Sequence, residues 1–373
     1  MKVVYLTDNL DYKNGGGRFS RELISQLKLA VPDLQQTILV KSAVGADENC
    51  LVIGTNKLVI LGKFFQLRSL IRRCDLIHVF DGLPYGLLAA ILAWGLHKPI
   101  IITVVGSGSV KPLQSYWSRW LLSGVYRRAE RVIAISSFTA REIVKKVPGL
   151  QVEIIRPGID RIHFLSLAAS ISGQPNEYAK LSPFILSVGR LKPRKGYLQS
   201  LQVFVRLREE FPLLKYVIVG SGGGEYWQKM QAYIRDYNLE DAVIILNNIS
   251  DQELAKLYSA AELFLLLPQN DNFDIEGFGL VYVEAACFGL PVIGATDSGA
   301  EDALQQDFNG YLVSPADPES AKAAVRKILT NSELKQTLSL NSRTFSQQLD
   351  WSMMRQGYEK IYHELSGAYE ERI

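Results

Sequence analysis

The chain of 373 residues is 47% hydrophobic and 21% charged, which allows two hydrophobic cores and excludes an intrinsically disordered protein. Its formal net charge is only +3, and we expect no nucleic-acid partner. Three scattered cysteines exclude a disulfide framework, and no pair of them has metal-ligand spacing. We therefore expect reduced thiols and a cytoplasmic location.

Two runs of alternating strand and helix signals follow one another along the chain, and an amphipathic helix near residues 18–30 follows the first strand. This rhythm predicts an α/β protein with two Rossmann-like domains, whose parallel sheets face each other across a ligand cleft. The strand candidates are residues 3–7, 37–41, 76–80, 99–105, 131–136 and 152–156 in the first run, and residues 184–189, 215–220, 242–247, 262–268 and 291–296 in the second.

The polar segment 161–182 is marked by proline and glycine, lacks periodicity and predicts a linker. We accordingly place one domain at residues 1–165, a second at 166–350, and a terminal segment at 351–373 that contains an amphipathic helix. A further apolar stretch at 83–96 is shorter than the roughly 20 residues that span a bilayer, and it predicts a buried helix.

Positive charge is concentrated in the first of these domains. Residues 1–165 contain 22 lysines and arginines against 12 aspartates and glutamates, whereas the remainder has a net charge of −7. Either the two halves bind different partners, or their opposite charges help the two domains to face each other.

The segment EGFGLVYVE places two glutamates, Glu276 and Glu284, eight residues apart around a Gly-aromatic-Gly turn that leads into a helix. Eight helical residues rise about 12 Å, a distance comparable to that between the sugar and the ribose of a nucleotide sugar. The turn frees the amides of Phe278, Gly279 and Leu280 to approach a diphosphate at the helix N-terminus. The alternative is a helix start with one capping acid and one exposed acid.

The segment SVGRLKPRKG ends a buried strand and continues with basic residues. Arg190 and Lys195 are expected to converge at the carboxyl end of this strand, where they would neutralise the charge of a departing nucleoside diphosphate. The alternative is a solvated basic turn.

The segment NGGGRFSREL follows the first strand. Gly15, Gly16 and Gly17 predict a flexible loop that admits a phosphate or sugar close to the backbone, although such glycines also serve tight packing. Two glycine-rich segments, 106–111 and 220–225, have Lys and Glu where a nicotinamide-binding fingerprint needs its third glycine, so we reject that function for both.

Several segments together resemble the retaining glycosyltransferases of family GT4, which have the GT-B fold. They are EGFGLVYVE, SVGRLKPRKG, IVGSGG, PVIGATDSGAEDAL and FNGYLVSPADPESAKAAV in the second half, and AISSFTAREI and IIRPGID in the first. The final FSQQLDWSMMRQGYEKIYHEL is similar to the family's last helix, which returns to the first domain.

The resemblance implies a hexosyltransferase-like enzyme that takes sugar from a nucleotide-diphosphate sugar without a metal or other cofactor. Its acceptor would be a glycan or a lipid-linked sugar, as in polysaccharide or glycoconjugate biosynthesis. Residues 1–165 would bind the acceptor and residues 166–350 the donor. The implied catalytic residues are Glu276, Arg190 and Lys195, and the implied donor-binding residues are Glu284, Phe278, Gly279, Leu280, Gly222, Ile249, Gly15, Gly16 and Gly17.

One segment departs from the family pattern. Where the family has a histidine in a T-x-H-G-like segment, this chain reads TVVGSGS, with Val105 in place of the histidine. We expect Val105, Gly106 and Ser107 on the acceptor and sugar side, with Ser107 or Ser109 substituting for the histidine. The substitution keeps one alternative open, a catalytically silent protein that binds nucleotide sugar or glycan. A second alternative is a sugar-nucleotide epimerase on the same two-domain fold.

The segment 115–132 combines aromatic and basic residues. Trp117, Trp120 and Leu121 could share one helix face with basic residues alongside, which suits the anionic inner face of a membrane. The alternative is a core helix with a solvated basic flank.

Overall fold

The computed structural model describes residues 1–12, 15–42, 50–54 and 57–370, with the side chains of 57 and 366–370 excepted. The chain divides into two compact units. The N-terminal unit comprises Met1–Pro157 together with the residues from Trp351 onward, and the C-terminal unit comprises Gly158–Asp350.

A parallel sheet with the strand order β3-β2-β1-β4-β5-β6-β7 forms the centre of the N-terminal unit. Its strands are β1 (Lys2–Thr7), β2 (Gln35–Val40), β3 (Cys50–Val52), β4 (Leu76–Phe80), β5 (Ile100–Val104), β6 (Arg131–Ala134) and β7 (Glu153–Ile154). Its helices up to that point are α1 (Gly15–Ala30), α2 (Lys57–Gly62), α3 (Phe64–Arg73), α4 (Leu87–Leu92), α5 (Ser107–Val110), α6 (Tyr116–Arg128) and α7 (Ser137–Lys146).

The C-terminal unit contains a second parallel sheet, with the strand order β10-β9-β8-β11-β12-β13. Its strands are β8 (Phe184–Val188), β9 (Lys215–Val219), β10 (Val243–Leu246), β11 (Leu263–Leu265), β12 (Val292–Ala295) and β13 (Gly310–Val313). Its helices are α8 (Arg161–Ile171), α9 (Tyr197–Arg208), α10 (Gly224–Asp236), α11 (Asp251–Ala260), α12 (Leu280–Cys287), α13 (Ala300–Ala303), α14 (Pro318–Thr330) and α15 (Ser332–Gln347).

Every strand candidate contains a strand, and the central ones are buried along their whole length because helices cover both faces of a parallel sheet. Two strands were not predicted, β3 and β13. The first has three residues, none of them fully buried, and the second begins with a glycine, so neither gives a strong apolar pattern.

Two local predictions are wrong. The predicted linker 161–182 contains helix α8, whose N-terminus is capped by Asp160 through the His163 amide, and a 3-10 turn at Glu177–Leu181. The predicted buried helix at 83–96 is reduced to α4, which leaves the Ile91 side chain exposed. Within the described residues, no helix has the length and apolar character needed to cross a membrane.

The predicted flexible loop at Gly15–Gly17 is also wrong, because these glycines form the first turn of α1. A Cβ atom on Gly17 would lie 2.2 Å from Oδ1 of Asn9 and 2.7 Å from the carbonyl oxygen of Asp11. Tight packing therefore requires glycine at position 17.

The final helix, α16 (Trp351–Glu370), packs against α1 and joins a buried polar network at the centre of the N-terminal sheet. His78 on β4 lies 2.6 Å from the Tyr362 hydroxyl through Nδ1 and 2.8 Å from the Thr103 hydroxyl through Nε2. The Tyr358 hydroxyl lies 3.1 Å from that of Thr103, and Tyr362 donates to the Tyr5 hydroxyl. These contacts satisfy polar groups that are costly to bury unpaired.

This network predicts a pH-dependent stability. Burial lowers the pKa of His78 to about 3, so the unfolded chain binds a proton that the folded chain does not. The free energy of unfolding should therefore be highest above about pH 6.5 and should fall toward pH 3, by up to about 1.4 kcal/mol per pH unit. Urea unfolding between about pH 3 and pH 6.5 measures this dependence. In the His78→Gln protein, the free energy of unfolding should fall less steeply with decreasing pH. Equal slopes in both proteins would contradict the assignment.

Candidate functional site

Basic side chains after β8 meet an acidic loop before α12. The Glu276 carboxylate is 7% exposed and its Oε2 accepts from two cations, the Lys195 ammonium at 2.9 Å and Nη1 of Arg194 at 2.6 Å. A 3-10 turn, Pro193–Lys195, allows both basic side chains to reach the same oxygen. The arrangement is a buried carboxylate held by two cations through charge-assisted hydrogen bonds.

Sequence reasoning missed Arg194. Its Nη1 also donates to the Ile275 carbonyl oxygen at 3.2 Å, and its Nε lies 3.4 Å from Oδ1 of Asp274. Arg194 thus fixes the loop 274–276 as well as its carboxylate. The available signal was the run of basic residues around Pro193, in which we selected the outer two cations.

Arg190 is half-buried and close enough to Lys195 for its charge to affect that ammonium. It forms no ion pair with any residue that the structure describes. The structure therefore brings Lys195 to Glu276 and leaves the Arg190 guanidinium available for a ligand.

Burial alone would raise the pKa of Glu276, but the charges and hydrogen bonds of Lys195 and Arg194 outweigh it and hold the pKa below its ordinary value. Burial also lowers the pKa of Lys195, and the charges of Arg194 and Arg190 act in the same direction against the opposing Glu276. Lys195 thus lies near two further cations and one carboxylate, and an additional anion would relieve the mutual repulsion of the cations.

Two glycines let backbone segments approach closely around this cluster. Gly196 has φ +71°, and a Cβ there would lie 1.6 Å from the Leu267 carbonyl oxygen. A Cβ on Gly299 would lie 2.4 Å from the Phe278 nitrogen, and the Gly299 amide donates to the Glu276 carbonyl oxygen at 2.9 Å. These contacts hold the loop before α12 in place.

The prediction that eight helical residues separate Glu276 from Glu284 is wrong. Only Glu284 lies in α12, because the helix begins at Leu280 with Gly279 as its N-cap residue. The structure thus places Phe278, Gly279 and Leu280 at a helix N-terminus, as predicted. The Glu284 carboxylate is 4% exposed and accepts from the Tyr258 hydroxyl at 3.2 Å, so it is not the exposed acid of the alternative interpretation.

The other donor-side predictions follow neighbouring strands of the same sheet. Gly222 follows β9, and a Cβ there would lie 2.5 Å from the Leu191 Cβ, which accounts for the glycine by packing. Ile249 follows β10, is half-buried and precedes Ser250, which caps α11 in a capping box with Glu253. Both residues lie at the carboxyl edge of the sheet, where ligands bind in α/β proteins.

In the N-terminal unit, Val105, Gly106 and Ser107 follow β5, and the Val105 amide binds an aspartate that sequence reasoning missed. Oδ1 of Asp81 accepts from the Val105 amide at 3.1 Å and from the Ser109 hydroxyl at 2.7 Å. Burial raises the pKa of Asp81, although the hydrogen bonds from Ser109, Val105 and Gly106 oppose this effect. The signal was an aspartate directly after the buried strand β4.

Ser109 is therefore committed to the structure rather than free to replace a missing histidine. Its side chain also accepts from the Gly82 amide at 3.1 Å, and it is fully buried.

In the part of the chain that the structure describes, no group of three His, Cys, Asp or Glu side chains could hold a metal ion.

Comparisons with known proteins identify matching families and relatives. The model of the family "Glycosyl transferases group 1" matches residues 173–345, and that of "Glycosyltransferase Family 4" matches residues 48–162. An uncharacterized glycosyltransferase of Methanocaldococcus jannaschii is 25% identical over 78% of this chain and 76% of its own length.

Two further relatives extend the comparison. The GDP-mannose-dependent alpha-(1-6)-phosphatidylinositol monomannoside mannosyltransferase of Mycolicibacterium smegmatis is 25% identical over 68% of this chain and 67% of its own length. Anabaena HepE, solved in complex with UDP, superposes with a TM-score of 0.80 at 19% identity, over 98% of this chain and all of its own. The two parallel-sheet units and these likenesses assign the GT-B fold, and the chain belongs to the GT4-type glycosyltransferases.

Proposed function

We propose that this glycosyltransferase moves a sugar from a nucleotide-diphosphate sugar to a glycan or lipid-linked acceptor, with retention at the anomeric carbon. The observation that carries the proposal is the pairing of Arg194 and Lys195 with buried Glu276, with Arg190 close to Lys195, at the carboxyl edge of the C-terminal sheet. Such convergent cations suit the two negative charges of a diphosphate.

In the proposed reaction, the bond between the anomeric carbon and the diphosphate oxygen breaks, and the electron pair leaves with the diphosphate. Arg190 and Lys195 stabilise the charge that develops there. The acceptor hydroxyl attacks from the same face, and its proton passes to the leaving diphosphate oxygen. This route requires no metal ion, because the cations of the chain carry the neutralisation.

Glu276 has two functions in this proposal. Its carboxylate holds Lys195 and Arg194 in position, and it lies beside the donor sugar, where its negative charge stabilises the positive charge of the anomeric centre. Glu284 binds the ribose hydroxyls, and the amides at the N-terminus of α12 contact phosphate or sugar oxygens.

The relatives support the donor class. HepE has been solved with UDP and with UDP-glucose, and the mycolicibacterial relative is named for GDP-mannose. A relative in Escherichia coli carries the name "Putative colanic acid biosynthesis glycosyltransferase WcaL", which supports a place in polysaccharide or glycoconjugate biosynthesis. The family assignment favours transfer over the epimerase and the silent binding protein.

We expect nucleoside diphosphates to raise the unfolding temperature more than the matching monophosphates do. A ligand at a hundred times its dissociation constant stabilises by about 2.7 kcal/mol, and the cation cluster favours the second phosphate. Thermal unfolding with UDP, GDP, UMP and GMP, each with and without EDTA, checks this. Equal shifts for mono- and diphosphates, or shifts abolished by EDTA, would contradict the proposed donor site.

Release of nucleotide from a panel of sugar donors, with the products analysed, tests the reaction itself. Transfer predicts a glycosylated acceptor with the donor's anomeric configuration. Free sugar and nucleotide in the absence of any acceptor would favour the epimerase instead.

A further inference from the structure

An apolar groove of about 930 Å³ opens between α4 and α6 of the N-terminal unit, and its lining contains none of the residues assigned to sugar transfer. Its apolar wall comes from Leu87 and Ile91 on α4, Trp94 beyond its end, and Trp120 and Leu121 on α6. The groove therefore has the size and lining of a site for an apolar ligand.

The aromatic side chains at this groove are unusually exposed. Trp94 is 80% exposed and Trp120 is 68% exposed, and Leu121 beside it is also exposed. Tryptophans on a protein surface mark interfaces where one side is apolar and the other is wet. The groove therefore presents its tryptophans to an outside partner rather than to the core.

Helix α6 has two different faces. Leu122, Val125 and Tyr126 are buried, as the core helix of the alternative interpretation requires. Trp117 and Trp120 are exposed, which that interpretation does not explain, because a solvated flank of a core helix has no need of tryptophan. One face of α6 thus packs inside the N-terminal unit, and the other is available for binding.

Basic residues surround the groove. Arg119, Arg127 and Arg128 on α6, together with Lys146 on α7, line it, and none of the four forms an ion pair with a residue that the structure describes. The sequence contains no aspartate or glutamate from residue 82 to residue 129, and Glu130 is the one acidic residue among those lining the groove. An apolar groove whose basic rim lacks ion pairs matches a ligand that has an apolar chain and an anionic head.

The adjacent helix α3 also combines exposed apolar and basic side chains. Arg68 on α3 donates to the carbonyl oxygens of Leu92 and Trp94, both at 2.7 Å, which fixes α3 beside the end of α4. Phe65 on α3 is 83% exposed, and residues 57–73 also contain no acidic residue. Exposed apolar side chains and excess positive charge therefore occur on three neighbouring helices.

We propose that the groove between α4 and α6 binds an acyl chain of an anionic phospholipid and so holds the N-terminal unit on a membrane surface. The chain lies against Ile91, Trp94 and Trp120, and the headgroup phosphate binds Arg127 and Arg128. A polynucleotide would use the basic rim but not the apolar wall, and a protein partner would not require the excess of arginines without ion pairs. The site is independent of the proposed donor chemistry.

Flotation with phosphatidylcholine vesicles, with and without phosphatidylglycerol, tests the proposal on the full chain. We expect binding only to the anionic vesicles and a weaker binding at high salt. Arg127→Gln combined with Arg128→Gln should reduce partitioning about 30-fold, since each basic residue near an anionic surface contributes about a factor of five. Trp94→Ala combined with Trp120→Ala should also reduce it.

Two control variants test whether loss of charge or of exposed apolar side chains elsewhere in the protein also weakens vesicle binding. Lys180→Gln combined with Arg235→Gln removes the same charge from exposed positions of the C-terminal unit, and Leu213→Ala combined with Leu340→Ala removes exposed apolar side chains there. Both control proteins should bind the vesicles like the wild type. Circular dichroism and thermal unfolding establish that each variant is folded.

Phospholipids with brominated acyl chains provide a second measurement. They should quench the tryptophan fluorescence of the wild type, and the Trp94 and Trp120 double variant should lose most of this quenching. Equal binding to neutral vesicles, binding unaffected by either groove variant, or absence of quenching would overturn the proposal. Self-association that these variants abolish would overturn it too, and would identify the face as a protein interface. A failure here leaves nucleotide release unchanged, so it is distinguishable from a failure of the proposed function.

Discussion

Replacing Arg190 with alanine should reduce sugar transfer by about 10² to 10³-fold while leaving the fold intact. The guanidinium is half-buried, lies near Lys195 and has no ion-pair partner among the described residues, so its removal breaks no structural contact of that kind. We expect a change in the free energy of unfolding within about 0.5 kcal/mol. Steady-state kinetics and urea unfolding of the same preparation measure the two effects.

Lys192→Ala is the matched control for this variant. Lys192 is exposed on the same turn, two residues further along the chain, and lies outside the cluster around Glu276. Its removal should leave both transfer and stability near wild-type values. An Arg190→Ala protein with wild-type turnover would remove Arg190 from the proposed diphosphate site, and a large loss of stability would assign it a structural role instead.

Replacing Glu276 with glutamine should have a different signature, because it reduces both stability and transfer. The change leaves Lys195 and Arg194 buried without their counter-charge, and breaking a buried pair in this way costs about 3 to 5 kcal/mol. Transfer should fall by at least about 10²-fold, since both the position of Lys195 and the charge beside the sugar are lost. Urea unfolding and single-turnover kinetics below the unfolding transition measure these effects.

The pH dependence of this variant follows from the direction of the pKa shift. The pKa of Glu276 is held below its ordinary value in the folded chain, so the ionised carboxylate stabilises the fold above about pH 4.3 and this contribution is lost as the pH falls further. The difference in unfolding free energy between wild type and Glu276→Gln should therefore shrink in acid. Glu276→Asp keeps the charge and should recover part of the stability. A difference that does not change with pH would contradict the ion-pair account.

The fold follows largely from local pattern. Each predicted strand is a short apolar run. Because both faces of the sheet are buried, β4, β5 and β8 do not alternate between apolar and polar residues. The helix α8 within segment 161–182 is harder to predict from sequence. It buries only Phe164, so its residues show almost no amphipathic periodicity.

The donor-side site could be predicted in its residue types but not in its contacts. The sequence placed Glu276, Arg190 and Lys195 near one sheet edge, yet the structure pairs Glu276 with Arg194 and Lys195. The choice depends on the 3-10 turn at Pro193–Lys195, which turns two consecutive side chains toward the same carboxylate. A basic run alone does not specify this geometry.

By itself, the sequence determined the alternation of strands and helices and the residue types at the ends of the strands, because these depend on neighbours within a few positions. The tertiary structure decided which groups meet: Arg194 with Glu276, Asp81 with the Val105 amide, His78 with Tyr362, and the exposed wall of the groove around Trp94 and Trp120. Three of these are pairs separated by 24 to 284 positions. The partners are chosen by how the sheets and helices pack, which no local pattern contains.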